Sequence, residues 1–128
     1  MAKAKQLTVS CENRPGTLAH IARTLGDAKV NILAFQTATS EAGSAVQVVV
    51  ENANKAKKAL AGAGLTYTEA DLLYVELPNV PGALGSFAGK LAAKEINITS
   101  GYATTAKGGK KAGVVVAVSD LAKAARIR

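Results

Sequence analysis

The sequence is poor in the residue types that carry most chemistry. It has one cysteine and one histidine, so no intramolecular disulfide can form and a zinc site built from Cys and His alone is excluded. Tryptophan is absent and aromatics make up 4% of the residues, which disfavours a surface that grips bases by stacking. No apolar run approaches the roughly 20 residues of a membrane-spanning helix. Lys3 and Lys5 precede a segment that is polar at every second position, unlike the apolar stretch of a signal peptide. The chain therefore reads as a soluble cytoplasmic protein, without a membrane partner and without a cofactor.

What is present is a core-forming composition. Of the 128 residues, 48% are hydrophobic and 20% charged, which suits a folded globular protein rather than a disordered tail. That length permits one ordinary domain or two very small ones. Lys and Arg number 16 against 9 Asp and Glu, a formal net charge of +7, which brings nucleic acid or a membrane surface into question. The excess is dispersed, however: Lys3 and Lys5 near the start, Lys55, Lys57 and Lys58 on a helix, Lys107, Lys110 and Lys111 in a loop. That distribution reads as a solvated surface. The run Lys107-Gly108-Gly109-Lys110-Lys111 lacks the strand–loop–helix setting of a nucleotide-binding P-loop.

An internal repeat organises the chain. Asn13-Arg14-Pro15-Gly16-Thr17-Leu18 returns 66 positions later as Asn79-Val80-Pro81-Gly82-Ala83-Leu84. The same offset carries Asn31-Ile32 onto Asn97-Ile98, and Val9, Ala22 and Leu25 onto identical residues. The matches fall on turns and apolar positions, so the chain is a duplication, with one unit over residues 1–70 and a second over 71–128.

Each unit has the same local pattern. Leu7 to Cys11 alternates with period two, a half-buried strand, copied in Leu72 to Leu77. A Pro-Gly turn follows, then a helix with Leu18, Ile21, Ala22 and Leu25 on one stripe, copied as Leu84, Phe87, Ala88 and Leu91. Ile32 to Ala38 is a second strand, turned back through Glu41-Ala42-Gly43-Ser44 into a third, Ala45 to Val50; the counterparts are Ile98 to Thr105 and Val114 to Val118. Asn52 and Asp120 cap short helices. Leu65 to Glu69 is a fourth strand with no counterpart, because eight residues remain after Asp120. The fold class is α+β: tandem ferredoxin-like βαββαβ sandwiches, the second copy lacking its last strand. Its first strand then has an open edge. Either the sheet stops at three strands, the chain is cut short, or another chain supplies the strand. Val49 and the run Val114 to Val118 also make the face away from the helices apolar, which calls for cover and points to a homodimer or higher homo-oligomer.

Cys11-Glu12-Asn13-Arg14-Pro15-Gly16-Thr17-Leu18, followed by Asn31-Ile32, resembles the ACT domain, a small regulatory fold that binds amino acids in enzymes of amino-acid metabolism. The first copy is particularly similar to the serine-sensing domain of phosphoglycerate dehydrogenase, and the duplication resembles the stand-alone tandem ACT proteins of bacteria. The resemblance spans both units. It implies a ligand held between two ACT units, with the turn on one and the second-strand asparagine on the other. One ligand-binding set is then Asn13, Arg14, Pro15, Gly16 and Leu18 with Asn31 and Ile32; the other is Asn79, Pro81, Gly82 and Leu84 with Asn97 and Ile98. The serine-sensing pattern has His where Cys11 and Leu77 stand here, and Arg14 becomes Val80, so the amino acid is left open and the two sites need not be equivalent.

Elementary chemistry supports such a site independently. A Pro-Gly turn at a helix start leaves backbone N–H groups free at the positive end of the helix dipole, a receptor for a carboxylate. An asparagine amide donates and accepts, matching both ends of an α-amino acid. Arg14 suits a carboxylate bidentately. Plainer readings stand beside these: the glycines permit the turn, the asparagines cap helix ends, Cys11 is a small core residue, and His20 lies off the apolar stripe in solvent.

The leading function is an amino-acid-binding regulatory sensor that modulates its own assembly or a partner enzyme of amino-acid metabolism, by allosteric regulation rather than catalysis. The alternative is an assembly module of the same fold without a ligand. RNA binding, as in RNA-recognition motifs of this fold, is disfavoured because Ala45 to Val50 and Val114 to Val118 hold no aromatic. Catalysis is disfavoured because no nucleophile is paired with a base.

Overall fold

A computed structural model describes residues 1–41 and 43–128; of the turn expected over Glu41 to Ser44, Ala42 lies outside the described residues. The elements are β1 (Ala2–Cys11), α1 (Thr17–Asp27), β2 (Ile32–Ser40), β3 (Gly43–Val50), α2 (Ala53–Gly62), β4 (Tyr67–Pro78), α3 (Ala83–Ala93), β5 (Ile98–Thr104), β6 (Lys111–Val118) and α4 (Leu121–Ala125). The tandem α+β order is as the repeat implied. The chain divides into two compact units, residues 5–70 and residues 71–128 together with 1–4.

In the unit over 5–70 the strands run β2-β3-β1-β4. The antiparallel registers Leu7↔Val48 and Val9↔Val46 place these four side chains on one face. Ile21 and Leu25 of α1 and Ala56 and Leu60 of α2 cover that face, closing a core with Leu7, Val9, Val46 and Val48. Full burial of each Leu or Val is worth about 1.5–3 kcal/mol, which offsets the ordering entropy of a unit this small. Asn52 caps α2 through Oδ1, which accepts from the Lys55 N–H at 3.0 Å. Ser10 N–H donates to the Thr66 carbonyl at 3.0 Å, bringing the start of β4 alongside β1.

α1 stops in a Schellman motif. Lys29 is left-handed at φ 63°. Its N–H bonds the Gly26 carbonyl and the Val30 N–H bonds the Leu25 carbonyl, at 2.9 and 3.0 Å. α3 ends identically, with Glu95 at φ 57° and Ile96 N–H on the Leu91 carbonyl at 3.0 Å.

In the second unit β4 pairs with β6 (Leu73↔Val116, Val75↔Val114) and β6 with β5. Leu73, Phe87, Leu91, Ile96, Val114, Val116 and Ala124 form its core. Asp120 caps α4, accepting from the Lys123 N–H at 3.0 Å. Among the described residues no strand follows α4. Residues 1–4, read from sequence as part of the first unit, group instead with 71–128, and β1 neighbours β4 in the strand order. The Met1 side chain packs on the second core, and its ammonium group donates to the carbonyls of Ala125 and Ile127 at 3.2 and 2.5 Å. The edge left open by the repeat is thus lined by the chain's own first residues. No local pattern announces this, because Ala-Lys-Ala-Lys has no large apolar side chain and the partners of Met1 lie more than a hundred positions away.

The second apolar face is buried within the single protomer. Val49 is 0% and Val115 1% exposed, so these positions no longer argue for a homo-oligomer. The large hydrophobics that remain exposed are Leu18, Phe35, Val80 and Leu84.

Candidate functional site

The two Pro-Gly turns have one geometry. Arg14-Pro15-Gly16-Thr17 closes with Thr17 N–H on the Arg14 carbonyl at 3.4 Å, and Val80-Pro81-Gly82-Ala83 with Ala83 N–H on the Val80 carbonyl at 3.3 Å. Gly16 sits at φ 91°, ψ −14° and Gly82 at φ 88°, ψ −13°. Proline second and a left-handed residue third is the signature of a type II turn, so each residue type is required by the backbone. Each glycine is also the N-cap of its helix, and no side chain caps either one. The first-turn N–H groups therefore face outward without a side-chain acceptor. A Cβ at Gly16 or Gly82 would meet nothing within 4 Å. The glycine is needed for its conformation, and the space beside it is open.

Around the first turn lie three hollows. One of about 330 Å³ is lined by Arg14, Pro15, Gly16 and His20, with Ser10, Cys11 and Leu65. A polar one of about 130 Å³ brings Asn13, Arg14 and Leu18 against Thr37, Thr39 and Ser44. Thr39 and Ser44 share a hydroxyl hydrogen bond of 3.0 Å. The third, about 310 Å³ and apolar, joins Leu18 and Ile32 with Ile21, Ala22, Phe35 and Val48 between α1 and β2. The three β-strand hydroxyls and Phe35 escaped sequence reasoning, since nothing in their spacing marks them; only strand register sets them beside the turn.

Leu18 departs from expectation. The helical stripe placed it in the core, yet it is 38% exposed and Leu84 63%. Ile21 and Leu25 carry the burial of α1, and the leucine one turn earlier borders the apolar hollow instead. Cys11 is half-buried against the first core and His20 is exposed, as expected. Arg14 pairs with Glu12 at 3.2 Å, both side chains about three-quarters solvent-exposed, so this ion pair contributes little to stability.

The asparagines do not share one environment. Asn31 follows α1 whereas Asn13 precedes it, so an 11-residue helix, about 16 Å at 1.5 Å per residue, separates them within the unit. Asn31 Nδ2 donates to Glu51 Oε1 at 3.2 Å, and its carbonyl accepts from the Glu51 N–H at 3.1 Å. Asn97 is held through its backbone: its N–H donates to Ser119 Oγ at 2.9 Å and its carbonyl accepts from the Ser119 N–H at 2.9 Å. Asn79 is committed to the lysine-rich loop. Its Nδ2 donates to the Gly109 carbonyl at 2.9 Å and its N–H to the Lys110 carbonyl at 2.9 Å. The Asn13 amide makes no hydrogen bond among the described residues. The loop before β6, two residues longer than its counterpart, is thus what makes the two turns unequal.

The family model of the ACT domain matches residues 5–61. Residues 5–61 belong to the ACT domain family. The chain's fold is similar to protein BT0572 from Bacteroides thetaiotaomicron, at 30% identity and a TM-score of 0.82 over 95% of this chain and 83% of that one. It is also similar in fold to the ligand-free regulatory subunit of aspartate kinase from Thermus thermophilus, at 14% identity and a TM-score of 0.69 over 98% of this chain and 94% of that one. Part of aspartate kinase from Synechocystis is similar in fold, at 19% identity and a TM-score of 0.62, with 97% of this chain matching 24% of that one. A search of curated protein sequences finds no match. No helix among the described residues is long and apolar enough to cross a membrane.

Proposed function

We propose that this chain is a non-catalytic, cytoplasmic regulatory protein that binds a small amino acid where ACT units meet, and that binding modulates its assembly or an enzyme of amino-acid metabolism. The observation that carries this reading is the uncapped Pro-Gly turn beside an unengaged Asn13. The turn offers N–H groups to a carboxylate at a helix N-terminus, and the asparagine amide offers both a donor and an acceptor. Asn13, Arg14, Pro15, Gly16 and Leu18 of one ACT unit, with Asn31 and Ile32 of another, make up the first site. Asn79, Pro81, Gly82 and Leu84, with Asn97 and Ile98, make up the second, which binds more weakly because a ligand there must displace the Gly109 carbonyl from Asn79. The fold shared with regulatory subunits of aspartate kinase supports an enzyme of this metabolic class as partner.

Calorimetric titration with the twenty amino acids tests the reading. Saturable binding of one or a few small amino acids is expected, lost in Asn13→Ala. Absence of binding by all twenty at millimolar concentration overturns it and leaves the second reading, an assembly module without ligand. That reading is favoured by one observation, the exposed apolar hollow bordered by Leu18 and Phe35.

A further inference from the structure

Besides the dispersed lysines, four of the sixteen cations meet at one place in the second unit. Lys94, the C-cap of α3, Lys123 of α4, and Arg126 and Arg128 beyond α4 line one concavity of about 450 Å³, with Ile127 at its wall. Lys90, one turn before Lys94, reaches the same end of the unit and donates to the main-chain oxygen of Arg128 at 3.3 Å. Among the described residues none of these five cations is paired with an Asp or Glu side chain; ion pairs of that kind lie elsewhere, as in Arg14–Glu12, Lys57–Glu69 and Lys111–Glu76. The carboxylates on the adjoining segments are Glu95, Asp120, which is engaged in capping α4, and the main-chain carboxyl of Arg128, which accepts from Lys90. Cations at the ends of α3 and α4 complement the helix dipoles, which accounts for Lys90, Lys94 and Lys123. It does not account for Arg126 and Arg128, which lie past the last helix and line the same hollow.

Four cations around one small concavity repel one another within a Debye length, and an anion relieves that repulsion. A monoanion compensates only one of the four. A ligand carrying several negative charges matches the set better than a monoanion does, and the size of the hollow is that of a small-molecule site. Guanidinium forks and lysine ammonium groups together suit phosphate oxygens. We propose that this hollow is a binding site for a small polyphosphate anion, free or as the phosphate chain of a nucleotide. The site is separate from the amino-acid site proposed above and does not rest on it.

Calorimetry on the full chain with inorganic tripolyphosphate tests this, with orthophosphate and adenosine triphosphate as parallel arms. Saturable binding of tripolyphosphate, tighter than that of orthophosphate, is expected. Equal affinity for adenosine triphosphate assigns recognition to the phosphate chain alone, and a higher affinity assigns the nucleotide as the source. Lys123→Glu with Arg126→Glu is expected to weaken tripolyphosphate at least about tenfold, whereas Lys107→Glu with Lys110→Glu, the same charge change on a loop that does not line the hollow, changes it by less than about twofold. Arg126→Gln, at an exposed position, gives a smaller loss with an unchanged thermal midpoint if the double variant is destabilised. Absence of saturable binding at millimolar tripolyphosphate overturns the proposal, as do equal losses in the Lys123/Arg126 and Lys107/Lys110 variants. Tighter binding of single-stranded RNA, with a steep salt slope, overturns it in favour of a nucleic-acid backbone.

Discussion

Gly16 shows how one residue can carry conformation and chemistry at once. Its φ of 91° is costly for any side chain, while the space a methyl group would occupy is open. Gly16→Ala is therefore expected to lose about 1–2 kcal/mol through backbone strain alone, read by urea unfolding, without a packing defect. Lys29 presents the inverse case. It holds a left-handed C′ position where glycine is the usual occupant, so Lys29→Gly is expected to raise stability by about 0.5–1 kcal/mol. Tyr102 gives a pH signature. Burial pushes its phenol from 10.0 up to about 12, so the folded state holds the proton that the unfolded chain releases first. That contribution is intact below pH 10 and is lost as pH rises toward 12. Tyr102→Phe should flatten this part of the alkaline stability curve, followed alongside tyrosinate absorbance. The Pro-Gly pairs were legible in the sequence because a type II turn needs just those two residues in that order. The difference between Asn13 and Asn79 was not, because it depends on a loop carbonyl 30 positions away.

Among the elements, β1 carries the least expected result. Its alternation marks Leu7 to Cys11 clearly, whereas residues 2–4 look like a solvated start. They belong to the unit over 71–128, and Met1 packs on its core. Removing residues 1–4 is expected to cost the order of 1–2 kcal/mol in that unit from lost Met1 burial. Hydrogen exchange should show Leu73 to Leu77 losing protection while Leu7 and Val9 keep theirs. The loop before β6 is an element of the site as well. A Cβ on Gly109 would come within 2.9 Å of the Ala106 carbonyl oxygen, too close for rigid backbone. Gly109→Ala is expected to shift this loop and release Asn79, visible as a moved side-chain amide resonance of Asn79 in a nitrogen–proton spectrum.

At the scale of the whole molecule, the two features that first suggested partners change places. The apolar strand faces pointed to self-association, yet Val49 and Val115 are already buried in one protomer. Phe35, 52% exposed on the edge strand β2, and Leu18 beside it keep the homo-oligomer as a proposal. Phe35→Asp should reduce the sedimenting mass to that of a monomer; an unchanged mass means that this edge is not the interface. The net charge of +7 is spread over much of the chain, and four cations meet around one hollow of the second unit.

Much of the architecture was determined by the sequence alone. Period-two strands, a helical stripe, type II turns and Asn or Asp caps each act over a span of about fifteen residues or fewer, and a duplication states every one of them twice. The α+β class, the order of elements and the ACT resemblance followed from those local rules. Tertiary structure alone decided which segment lines the open edge of β4, which asparagine keeps a free amide, where Leu18 stands relative to the core, and which of the scattered cations meet. Each of these is a contact between residues far apart in the chain. Local pattern carries no information about such contacts, because the free energy that selects them comes from burial and hydrogen bonding that exist only once the strands have paired.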